Sequence, residues 1–175
     1  MKRSQLTPMP EYFDRYINLC DDVDLSAALQ ISIDELSTAF MEKCESLGDK
    51  IYAPGKWTVK DILQHMIDTE RIFCYRALAF ARGEAVRLPS FEEDDYAKNA
   101  DAGRRTVKEL FEELKLVHES TKVLYKSFTP AMLEKKGWGF KGMYSVASIG
   151  FCIPGHQRWH IKVIEERYFP LLNMK

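Results

Sequence analysis

Residues 58–83 read TVKDILQHMIDTERIFCYRALAFARG, and this stretch decides the fold class. Thr58 is suited to cap a helix, with Asp61 in the first turn, where the helix dipole favours an anion. Val59, Ile62, Leu63, Met66, Phe73, Ala77 and Ala81 then return on one stripe, and Gly83 stops the run. The pattern predicts a helix of about 25 residues, or seven turns, with one apolar face that must be covered.

Other segments supply the cover. Upstream, Leu25, Ala28, Leu29, Ile33, Leu36, Phe40 and Met41 predict a helix from about Leu25 to Cys44, with a short extra helix possible at Pro10–Leu19. Gly48 ends the first of these, and Pro54-Gly55 marks a turn. Downstream, a loop from Glu84 to Ala102 carries Pro89 and the acidic run Glu92-Glu93-Asp94-Asp95, read as a solvated segment or the entry to the next helix. A third helix spans roughly Ala102–Phe128, on Val107, Leu110, Phe111, Leu114, Val117, Thr121 and Leu124. Thr129-Pro130 restarts a short helical turn, and Gly137, Gly139 and Gly142 predict a mobile connection whose Trp138, Phe140 and Tyr144 are suited to wall a cleft. A fourth helix runs from Ser145, its cap, to about Phe169, with Pro154 inside it predicting a kink. No segment alternates as a strand does. Four amphipathic helices predict an all-α four-helix bundle, one domain over residues 1–175.

Composition narrows the function. The chain has 175 residues, 25 Lys+Arg against 26 Asp+Glu, four His and four Cys. A formal charge of −1 and scattered arginines give no attraction to phosphate backbones, so no nucleic-acid partner is expected. No apolar run reaches the roughly 18–20 residues of a membrane span, and Met1–Pro10 lacks a signal peptide's apolar core. Cys20, Cys44, Cys74 and Cys152 are therefore expected as reduced thiols in a cytoplasmic protein, and no CxxC pair exists.

The chemistry rests on histidines. His156 and His160 are four residues apart, so on a helix they project from one face, near Ile149, Cys152, Ile153 and Val163. Two imidazoles so placed can reach one metal ion, although the spacing alone is a weak signal. His65, on the flank of the second helix's stripe, is the candidate third ligand. Three neutral imidazoles leave coordination positions open for water or a small-molecule substrate, as in a catalytic zinc site. A HExxH protease is excluded, because Gln157 stands where that motif needs a glutamate base.

Glu70 falls near the centre of the apolar stripe, where a lone carboxylate is very unfavourable. It is expected to pair with Arg167 or Arg76; its functional alternative, as the candidate catalytic residue, is to support a ligand imidazole or act as a base on metal-bound water. Asp68 is either solvated or positioned to orient His65, and Cys152 is an inert buried thiol or, less favoured, a ligand. His118 is read as a surface or flank residue and Trp57 as a core anchor.

Tyr52-Ala53-Pro54-Gly55-Lys56-Trp57-Thr58-Val59-Lys60, leading to His65, Asp68-Thr69-Glu70-Arg71 and Arg82-Gly83, together with Gly155-His156-Gln157-Arg158-Trp159-His160, resembles the DinB/YfiT-like family of metal-dependent enzymes. The resemblance runs from about Tyr12 to Tyr168. It implies a four-helix bundle with His65, His156 and His160 holding a divalent ion, nickel or zinc. It further implies thiol-transferase-like chemistry with a low-molecular-weight thiol such as bacillithiol or mycothiol, or hydrolysis, and a homodimer. The alternative is a non-catalytic bundle, with a structural metal or none, acting through protein partners. Two departures stand out: Trp159 replaces a histidine common in the family, and Pro154 lies close before the first late ligand.

Overall fold

The computed structural model describes residues 1–173. In chain order it contains α1 (Asp14–Ile17), α2 (Leu25–Glu35), α3 (Thr38–Leu47), α4 (Val59–Arg82), α5 (Glu93–Ala100), α6 (Val107–Lys126) and α7 (Pro130–Glu134). A hairpin of β1 (Lys136–Gly139) and β2 (Gly142–Ser145) follows, then α8 (Val146–Val163). A π-helical turn, Ile164–Tyr168, and a 3-10 turn, Phe169–Leu172, extend α8.

The caps read from sequence hold α4. Thr58 accepts from the Asp61 backbone, the Asp61 carboxylate accepts from Thr58 N at 2.8 Å, and Gly83 ends the helix at φ 93°. Elsewhere the structure corrects the expected boundaries. The helix expected over Leu25–Cys44 breaks at Leu36, whose ψ of 65° leaves the helical region, and Ser37 caps a new helix by accepting from Phe40 N. Leu36 stays buried at the corner. The third long helix starts at Val107 because Thr106 and Glu109 form a reciprocal cap; Ala102–Arg104 is a separate 3-10 turn. The acidic run opens α5, and three of its carboxylates occupy the first turn.

The connection expected to be mobile is an antiparallel hairpin pairing Trp138 with Met143 and Gly139 with Gly142. Its glycines explain why alternation did not reveal it: a Cβ at Gly137 would overlap the Phe80 ring, and Gly142 turns at φ 149°.

α6 and α8 each pack against both α2 and α4, which makes the four-helix bundle. The apolar core is in two parts. One gathers Leu29, Phe80, Phe151 and Ile153; the other gathers Leu63, Ile67, Leu110 and Leu114. Between the parts lies a layer of buried polar side chains, described below. Among the described residues no helix is long and apolar enough to cross a membrane.

α1 lies against α8 at one point of backbone contact. A Cβ at Gly155 would overlap the Tyr16 carbonyl group. Gly155→Ala should therefore lower stability: the expected gain in helix propensity of about 1 kcal/mol is smaller than the cost of about 1–3 kcal/mol for overpacking against backbone. Chemical denaturation of the two proteins checks the sign.

Candidate metal centre

The polar layer is a chain of contacts through all four long helices. Glu70 on α4 accepts from Thr121 Oγ1 of α6 at 2.6 Å, and its other oxygen lies 2.7 Å from His118 Nδ1. His118 Nε2 meets Gln157 Oε1 of α8 at 2.5 Å, and Gln157 Nε2 donates to the Ser32 carbonyl of α2 at 2.7 Å. Because the Gln157 amide nitrogen donates to Ser32, its oxygen must accept, which assigns a proton to His118 Nε2. Burial opposes charge on His118, but the Glu70 carboxylate outweighs it and Gln157 helps, so the imidazole titrates above its ordinary range.

This corrects two expectations. Glu70 pairs with His118 and not with an arginine, and His118 is 2% exposed where a surface or flank position was expected. His118 follows Val117 on the stripe of α6, and only a partner at Glu70 distinguishes it from a flank residue.

One residue before Gln157, about 100° around the helix, His156 faces α4. Its Nε2 lies 3.2 Å from His65 Nε2 and 3.0 Å from His160 Nε2, and the three ligand atoms lie within 4.8 Å of one another. Metal–nitrogen bonds of about 2.0–2.1 Å at a tetrahedral angle put nitrogens about 3.3 Å apart. The set fits a divalent ion. It fits protein hydrogen bonding poorly: His156 Nε2 offers one hydrogen or one lone pair to two neighbours, so at most one good bond can form. At His65, Nδ1 lies 3.4 Å from Thr69 Oγ1, and Nε2 is the ring nitrogen turned toward His156. Aromatic rings fix the imidazoles: Tyr16 stands edge-on to His156 at 5.2 Å, and Trp57 lies 4.9 Å from His65.

Burial keeps these rings neutral. His65 is pulled down to about 4 and His160 to about 3 by desolvation; His156, with His160 and His65 beside it, falls well below the ordinary 6.5. Neutral imidazole is the form that binds metal.

Two cavities adjoin the triad. One of about 160 Å³ is lined by His65, His156, Thr69, Phe73, Arg76 and aromatic residues of the N-terminal segment. The other, of about 240 Å³, is lined by His160, Trp57, Trp159, Asp94 and Tyr168. The site is reached from solvent and is not a closed protein cage.

A family model for the DinB superfamily matches residues 28–164. The chain belongs to the DinB superfamily. No curated protein matches the sequence. Among solved structures, this DinB-superfamily chain is similar to YfiT from Bacillus subtilis, described as a probable metal-dependent hydrolase with an unusual four-helix bundle topology. The TM-score is 0.65 at 18% identity, over 92% of this chain and 88% of that one, a likeness that speaks for the fold.

The remaining expected residues are placed as follows. Asp68 accepts from Gln64 Nε2 at 3.0 Å and makes no bond to His65. Cys152 is 1% exposed, outside the triad, and burial raises its thiol well above the ordinary range. Cys20, Cys44 and Cys74 are likewise pushed up to about 12, chiefly by burial. Trp57 walls the second cavity as well as packing on His65. Trp159 is 40% exposed, edge-on to Tyr16 at 5.6 Å. Pro154 lies within α8 without interrupting it, and His156 still meets both partners. Gln157 was noticed in the sequence only as the missing protease base; its amide is engaged by His118 and Ser32.

Two outcomes follow. Glu70→Gln, which strands a buried His118, should destabilise the protein by about 3–5 kcal/mol in urea titration, while replacing both residues by apolar ones should cost less than that. In chelator-treated protein the unfolded histidines take up protons near pH 6.5 and the folded His65 only near 4. The unfolded state therefore binds more protons in this window, and the melting temperature should fall as pH drops from 6.5 toward 4. His65→Ala should flatten that slope.

Proposed function

We propose that this chain is a metal-dependent hydrolase whose divalent ion, nickel or zinc, is held by His65, His156 and His160. The observation that carries the reading is the convergence of three neutral imidazole nitrogens beside an accessible cavity of about 160 Å³. The bound ion supplies Lewis acidity, polarising a carbonyl or phosphoryl oxygen and easing proton loss from a water or a thiol. The protein does the rest. Thr69 stands beside Nδ1 of His65, Tyr16 and Trp57 fix ring planes, and the aromatic walls exclude bulk water around a small-molecule substrate.

Glu70 serves as a positioning residue. It does not touch the three imidazoles; through His118 and Gln157 it fixes the turn of α8 that carries His156. Glu70 and His156 also share the wall of a small cavity of about 10 Å³, room for about one water between them.

A specific observation favours a second reading, transfer of a low-molecular-weight thiol to an electrophile. The triad stands between two cavities, one on the His65 and His156 side and one on the His160 side, so two reactants can approach from different directions.

Metal analysis of as-purified protein should find about one ion per chain, lost in His160→Ala with the fold retained by circular dichroism. A wild type that neither holds nor takes up nickel or zinc overturns the proposal. Loaded protein is then assayed on ester, amide and phosphoester substrates, with and without bacillithiol, glutathione or coenzyme A. Turnover with water alone supports hydrolysis; turnover that needs a thiol supports transfer.

A further inference from the structure

Arg76 has lost the partner that its sequence position suggested. With Glu70 engaged by His118, none of the ion pairs among the described residues includes Arg76. Yet the residue is 2% exposed. Among the described residues Nη2 donates to the Pro89 carbonyl at 2.9 Å and the Tyr144 hydroxyl lies beside the guanidinium, two neutral oxygens for a group that carries five donors. A buried charge held only by neutral oxygens is costly unless something of opposite charge completes it.

The place where completion can come from is the cavity that Arg76 lines together with His65 and His156. Thr69, Phe73 and Arg76 follow His65 at four, eight and eleven residues, so all four share one stripe of α4. Helical side chains lean toward the N-terminus, which brings the guanidinium back along that stripe toward the imidazoles. The cavity thus has a metal-binding end, an apolar middle walled by Phe13, Phe73, Phe91 and Phe140, and a cationic end. Glu92 and Glu93 also line it, but both are exposed and neither comes within ion-pair distance of Arg76. They put negative charge at the mouth and leave the positive charge in the depth.

We infer that Arg76 is the recognition residue for an anionic oxygen group on the substrate, a carboxylate or phosphate joined by an apolar, aromatic-sized body to the part that reaches the three histidines. The guanidinium fork matches either oxyanion in a two-bond geometry, and the low-dielectric wall strengthens the pairing. The inference rests on the reading of this cavity as the substrate site, but its readout does not need the metal.

The test is calorimetric titration of chelator-treated protein with 3-phenylpropionate, with phenyl phosphate, and with the neutral 3-phenylpropanamide. Wild type should bind at least one of the two anions about tenfold or more tighter than the amide, and the stronger of them identifies the preferred oxyanion. Arg76→Met should remove that preference, bringing the anions to the level of the amide, and Arg76→Lys should retain part of it. Equal binding of acids and amide by wild type overturns the inference, as does no binding of any probe, or a preference that survives in Arg76→Met. A preference that appears only after nickel or zinc is added overturns it too, since the ion and not Arg76 would then hold the anion. The wild-type comparison stands even if a variant fails to fold. Failure to bind metal would sink the hydrolase reading while leaving the anion preference intact, so the two failures are distinguishable.

Discussion

Burying charge and hydrogen-bonding capacity between two apolar cores is the constraint on which this bundle depends. Glu70, His118, Thr121 and Gln157 are each at most 3% exposed, and an unmatched donor or acceptor there costs about 1–3 kcal/mol, more if charged. Packing alone tolerates a helix sliding by a fraction of a turn. The polar chain does not, because every member has its partner on another helix. It therefore fixes the register of α2, α4, α6 and α8 at one level. The candidate metal centre is built on that level: Gln157 turns toward α6 and α2, and its neighbour His156 turns toward α4 and meets His65.

Arg158 adds a second fixing point on the far side of α8. Its guanidinium donates to the Glu35 carboxylate, the Leu19 carbonyl and the Asp21 carboxylate at 2.7, 2.7 and 2.8 Å. Three successive residues thus bind in three directions: His156 toward the site, Gln157 into the polar layer, Arg158 onto the segment between α1 and α2. Just before that segment, α1 carries Tyr16 to the edge of His156 through the gap left by Gly155. The site is accurate because its supports are distributed over the whole fold.

Much of this was legible in the sequence, and the parts that were not share a cause. The stripe of α4 with its caps, and the three histidines, are local patterns: spacing and face suffice to find them. The break at Leu36 was missed because apolar spacing continues across it, although Ser37 offered a cap. The hairpin was missed because Gly137 and Gly139 have no side chains to alternate, and their smallness answers to Phe80, far back in the chain, and to Tyr144 on the paired strand. Glu70 announced itself as buried, since it sits in the middle of an apolar stripe, but its partner did not. His118 lies 48 residues on, and nothing local separates it from a flank histidine. For the same reason Arg76 could be assigned to Glu70 on charge alone, and only the three-dimensional pairing releases it toward the cavity.

The four cysteines, all held as protonated thiols by burial, have a consequence for what such a centre can handle. Sulfur reacts with electrophiles as the anion, and near neutrality almost none of these four is in that form. Neither cavity beside the histidines has a cysteine in its lining, so the chain's own sulfur stands apart from whatever is bound there.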